Sequence, residues 1–115
     1  FDFITAYWLD KLSNWALEQL MRLLKQELQD EVAKDHLKIT SHWGPGYCGW
    51  DLKEQEKLLP LSGADQWGIT LSSSMLMRPV KSMSGVVGIG DQVIYKESGC
   101  GDCRLPNCAY RSLKW

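Results

Sequence analysis

An α+β domain is predicted by two periodicities and the break between them. Leu9, Leu12, Ala16, Leu20, Leu24, Leu28 and Val32 recur every three or four residues, the spacing of an amphipathic helix. From Leu37 the period falls to two, as Leu37, Ile39, Ser41 and Trp43 alternate with Lys38, Thr40 and His42. Beyond that point, turn residues cut the chain into short segments suited to strands. The expected architecture is a largely antiparallel twisted sheet packed against a long N-terminal helix and a short second helix. With 115 residues the chain is expected to form one domain, residues 1–97, carrying a Cys-rich tail at 98–115.

The long helix is expected over residues 5–35. Lys11, Glu18, Arg22, Lys25 and Glu27 fill its polar faces, and Trp8 and Trp15 widen the apolar stripe, which reads as core-facing scaffold. His36 falls at its C-terminal end, where a histidine suits the helix dipole. Asp51 followed by Glu54 has capping-box spacing and opens a second helix, DLKEQEKLL, which Pro60 is expected to end. WGITLSS, KSMSGVVGIG and QVIYKE then read as three strands, separated by Arg78-Pro79 and Gly90-Asp91.

Composition removes several function classes. Thirteen Lys and Arg balance fourteen Asp and Glu to a net charge of -1, with no basic block to track phosphates, so a nucleic-acid partner is not expected. No apolar run approaches the roughly 20 residues of a membrane span, and no signal peptide is recognisable. The chain opens at Phe1 without a methionine and reads as the remnant of a longer protein. GVVGIG has its glycines in the wrong order for a dinucleotide fingerprint and suits a strand with close backbone approach. Ser72, Ser73 and Ser74 have no histidine at a distance suggesting a hydrolytic triad.

The richest loop is SHWGPGYCGW, residues 41–50. Pro45 presets φ near −65°, and Gly46 tolerates the positive φ that a type II turn needs at its third position. Tyr47 leaves the turn in a defined direction between Trp43 and Trp50. Glycines on both sides of Pro45 let a ligand lie against the backbone. A turn with no ligand accounts for the same residues.

The order ITSHWGPGYCGWDLKEQEKLL, then WGITLSSSMLMRPVKSMSGVVGIG, resembles the activation domain of cobalamin-dependent methionine synthase. It is more similar to the free-standing activation proteins of anaerobic microbes. The matching pieces are Pro45-Gly46-Tyr47, Gly68-Ile69-Thr70-Leu71, Met77-Arg78-Pro79 and Ser82-Met83-Ser84-Gly85, over about residues 37–91.

This resemblance implies a cytoplasmic activation subunit of the methyltransferase. In that family the domain binds S-adenosylmethionine and presents its methyl group to a cobalamin stranded by oxidation, while an external donor such as flavodoxin or ferredoxin supplies one electron. The implied partner is a cobalamin-binding methionine synthase or another corrinoid protein. The implied ligand site is His42, Gly44, Pro45, Gly46, Tyr47, Lys81 and Ser84. His42 stands where the family has an arginine for the ligand carboxylate, and Lys81 and Arg78 are further cations for that role. Ser72, Ser73 and Ser74 occupy the family's Thr-Glu-Ser segment without its acid. The family's upstream acidic ligand residue would precede Phe1.

Cys100, Cys103 and Cys108 have C-x-x-C-x4-C spacing, and Cys48 offers a fourth thiolate from the Gly-Tyr loop. Two disulfides, a zinc site and an iron–sulfur cluster all suit four cysteines, and a reducing cytoplasm favours the metal readings. A second reading of the whole chain is therefore a non-catalytic zinc- or iron–sulfur-binding interaction module that docks on a corrinoid protein.

Overall fold

A computed structural model describes residues 2–96 and 99–108. The first helix, α1 (Phe3–Ala33), begins where the Asp2 carboxylate accepts a hydrogen bond from the Thr5 N–H, satisfying one of the helix's unpaired donors. It ends as the His36 N–H donates to Ala33 O and the Leu37 N–H to Val32 O, with His36 at a left-handed φ of 60°. At about 1.5 Å per residue this helix sets the long axis of a molecule 50 × 38 × 26 Å in extent.

The remaining elements are short. Strand β1 (Lys38–Ile39) pairs antiparallel with β4 (Ile89–Gly90), and β2 (Thr70–Leu71) pairs antiparallel with β3 (Met77–Arg78). Helix α2 (Gln55–Ser62) follows a single 3-10 turn at Leu52–Glu54. The class is α+β, as the periodicities predict. The sheet is not one layer: among the described residues, two separate two-stranded ribbons stand in its place. An isolated bridge between Trp43 and Val86 continues the β1–β4 pairing after an interruption.

Three element readings need correction. QVIYKE forms no strand over its described residues 92–96. Pro60 does not end α2, which continues to Ser62 and stops at Gly63, whose φ of 66° is the left-handed cap glycine supplies. Asp51 does cap, accepting from the Lys53 N–H at 2.9 Å, but the Glu54 carboxylate turns forward to Lys57 instead of back to Asp51.

A further correction is rotational. The packed side of α1 runs through Asn14, Leu17, Met21, Lys25, Leu28, Gln29 and Val32, while Leu9, Leu12, Leu20 and Leu24 stay exposed with Trp8 and Trp15. The cause is visible at Gln29. Its side-chain amide accepts from the Ile39 N–H at 3.2 Å and donates to Leu37 O at 3.5 Å, so helix and strand join by polar pairing. Ile39 beside it is fully buried, at 0% exposure, and is the centre of the apolar core with Leu59. Lys25 is only 6% exposed, with its Nζ 6.0 Å from the centre of the Tyr95 ring.

Candidate functional site

The loop after β1 is built as its residue types require. The Tyr47 N–H donates to Gly44 O at 3.2 Å, closing a four-residue turn with Pro45 second and Gly46 third at φ 88°. A second turn follows at once: the Trp50 N–H reaches Tyr47 O at 3.0 Å, with Cys48 and Gly49 at φ 52° and 83°. The Gly46 N–H then donates to Trp50 O at 2.9 Å and ties the two turns together. The outcome is a rigid double turn with Tyr47 at its outer edge, 66% exposed.

This turn lies against the Ser82–Val86 segment with no slack. A Cβ on Gly44 would stand 2.7 Å from Ser84 O, and one on Gly85 would stand 2.8 Å from Trp43 O. Trp43 and Val86 exchange both backbone hydrogen bonds, at 2.9 and 2.7 Å. The glycines are therefore present for close approach of two backbones. Below them Gln55, 2% exposed, packs its amide against Ser84, with Nε2 donating to Oγ at 2.7 Å and Oγ donating to Oε1 at 3.0 Å.

Between α1, the double turn and residues 74–84 runs an open groove of about 450 Å³. Pro45, Tyr47, Lys81 and Ser84 line it, so four residues distant in sequence meet there. Gly44 and Gly46 belong to the adjoining turn without lining the groove. Its apolar surface comes from residues such as Leu17, Leu52, Met77 and Val80. Lys81 is held by α1, its Nζ 2.5 Å from Asp10 Oδ1 and 2.7 Å from Asn14 Oδ1. The hydrogen bond and charge of Lys81 keep the Asp10 carboxyl below the usual carboxylate range.

His42 is not among the groove's lining residues. Its imidazole lies against Gly85, and its Nδ1 is buried without a hydrogen-bond partner among the described residues. Burial first, and then the charge of Lys25, lower its pKa from the ordinary 6.5. On this geometry the groove's cation is Lys81. The unfolded chain therefore takes up a proton at higher pH than the folded protein does. Stability rises with pH across that window, is complete above the unfolded pKa, and is lost as pH falls toward the folded value. Thermal denaturation from about pH 7 to 5 should show this loss, reduced in His42→Gln. Identical pH slopes in the two proteins would rule out His42 as its source.

Among the polar groove residues outside the sequence-derived ligand site, two come from α1. Asn14 and Glu18 line the groove from α1, yet helical period alone assigns Glu18 merely to a solvent face. The signal that could have found them is their i,i+4 spacing, which places both on one helix face. Arg78 lies on β3, and the serine run serves the β2–β3 turn, where Ser72 Oγ accepts from the Leu76 N–H at 3.1 Å.

A hydrogen bond with Cys103 first, then burial and the charges of the Cys103, Cys100 and Cys108 thiols, push the Cys48 thiol up to about 11. Among the described residues, no group of three or more His, Cys, Asp or Glu side chains is already arranged to hold a metal ion. None of the described helices is long and apolar enough to cross a membrane. Comparisons with protein-family models, curated proteins and solved structures find no match for the chain.

Proposed function

We propose that the groove binds S-adenosylmethionine and that the chain serves as an activation subunit for a cobalamin-dependent methionine synthase or related corrinoid protein. The observation that carries this reading is the meeting of Pro45, Tyr47, Lys81 and Ser84 along one groove. Its volume lies within the range of small-molecule sites, roughly 300–1,000 Å³. Its chemistry also suits a zwitterion bearing an extra cation. Lys81, its charge shared with Asp10, supplies a further ammonium N–H for the ligand carboxylate, and Glu18 a negative group for the ligand ammonium.

The exposed Tyr47 ring offers its face to the sulfonium, an attraction of about 0.5–2 kcal/mol. The fixed double turn holds that ring in place before the ligand arrives, which lowers the ordering cost of binding. Ser84 is held by Gln55, so its part is to fix the groove wall. When bound, S-adenosylmethionine supplies a sulfonium methyl for transfer to the reduced corrin metal of the partner, with the C–S electron pair left on sulfur and one electron delivered beforehand by a flavodoxin or ferredoxin. The chain's own contribution is to bind and orient.

Calorimetric titration with S-adenosylmethionine tests the groove. Tyr47→Ala should weaken binding by about 2- to 30-fold, the affinity equivalent of the lost ring contact. Unchanged affinity in Tyr47→Ala, or no binding by the parent chain, contradicts the reading.

A further inference from the structure

Helix α1 turns its largest apolar side chains away from the core. Opposite the packed side, Trp8, Leu12, Trp15, Gln19 and Leu23 follow one another at spacings of three and four, which sets them in one seam. Leu9, Ala16 and Leu20 flank one edge of that seam, and Lys11 and Glu18 flank the other. Lys11 is settled on its edge by the Tyr7 ring, with Nζ 5.3 Å from the ring centre. Trp8, Leu9, Leu12, Trp15, Leu20 and Leu23 are each between 48% and 65% exposed. Together these six present on the order of 800 Å² to solvent, more than the largest apolar patch of a typical monomer. It is also about the share that one partner gives to a standard stable interface.

We propose that this face is the interface of a homodimer, in which α1 pairs antiparallel with α1 of a second copy across a two-fold axis between Asn14 and Trp15. The charges select that register. Lys11 comes level with Glu18 of the second copy, and the two-fold axis forms the reverse pair as well. On the other edge Leu9 comes level with Leu20 of the second copy. Along the seam Leu12 falls between Trp15 and Gln19 of the second copy, and Trp8 between its Gln19 and Leu23, so the two rows interdigitate. Parallel pairing would instead set Lys11 level with Lys11 and Glu18 with Glu18, and would align the two helix dipoles. A lipid surface is a poorer fit to the same face. Along α1 the acids Asp10, Glu18, Glu27, Asp30 and Glu31 outnumber the bases Lys11, Arg22 and Lys25, so an anionic membrane would repel it. Glu18 borders the groove too, and its two carboxylate oxygens let it face both. The inference goes beyond the groove reading and does not rest on it, because the seam lies on the side of α1 away from the groove.

Sedimentation velocity of the full chain tests the pairing. At concentrations of about 100 μM, where even the weak end of this interface class associates, the chain should sediment with the mass of two copies. Leu12→Glu, which places a charge in the seam of both copies, should weaken dimerisation at least about 100-fold, with the helix content of the monomer kept in far-UV circular dichroism. Lys11→Glu should weaken it about 5- to 30-fold, and Lys11→Glu with Glu18→Lys should recover most of the loss. A monomeric parent chain overturns the inference, and so does a Leu12→Glu variant that dimerises as the parent does. A double reversal no tighter than Lys11→Glu alone overturns the antiparallel register. A chain that is monomeric in buffer but binds phosphatidylglycerol vesicles would give the face to lipid and overturn the dimer. The exposed Lys11 and Glu18 variants keep the test decisive even if Leu12→Glu fails to fold.

Discussion

Gly85→Ala should destabilise the protein by about 2–4 kcal/mol, the sum of overpacking and of the hydrogen bonds lost as the strands part. The new methyl would meet Trp43 O at 2.8 Å, and that atom is backbone with no side-chain freedom to yield. Relief requires the Trp43–Val86 bridge to open, which breaks both of its hydrogen bonds and shifts the turn that carries Tyr47. Gly44→Ala meets Ser84 O at 2.7 Å from the opposite side and should behave alike. Gly101→Ala is the control, having nothing within 4 Å of its Cβ position. Thermal denaturation should place Gly85→Ala on the order of 10 °C below the parent, with Gly101→Ala close to it. Equal midpoints for the two variants would mean that the backbones do not approach as described.

The second large effect is expected at Gln55. Gln55→Ala removes a buried side chain, leaves a void in a small protein, and strips Ser84 Oγ of its partner. About 2–4 kcal/mol should be lost, from unsatisfied polarity and cavity together. The two causes separate by chemistry. Gln55→Leu keeps most of the volume but still orphans Ser84, whereas Gln55→Leu with Ser84→Ala removes both polar partners. Denaturant titration should show the double variant more stable than Gln55→Leu alone. Additive losses would show that the Gln55–Ser84 pair is not coupled.

The first of the two turns was legible in the sequence because its causes are local. Proline restricts one φ and glycine permits another, so Gly44-Pro45-Gly46-Tyr47 folds as its residue types require. The existence of α1 was equally plain from its period. Which face of α1 would pack was not, because the leucine stripe is a local pattern and the packed face is chosen by distant polar partners. Gln29 meets β1, and Asp10 and Asn14 meet Lys81, across gaps of 10 to 71 residues. Glu18 entered the groove by the same helix rotation. For His42 the resemblance offered a ligand contact beside the turn, but the fold lays its imidazole against Gly85, where burial and then Lys25 lower its pKa, and it is Lys81 that lines the groove. The strands were overestimated because alternation signals a half-buried surface, and this fold has too little second layer to bury one.

Methyl-group transfer is the most direct test of the groove's role. S-adenosylmethionine labelled in its methyl group would be mixed, under low-potential reduction, with a cobalamin-dependent methionine synthase lacking its own activation domain. With this chain added, label should accumulate on the corrin cofactor, and Tyr47→Ala should slow that accumulation. Transfer at the same rate without the chain, or unaffected by Tyr47→Ala, would contradict the account.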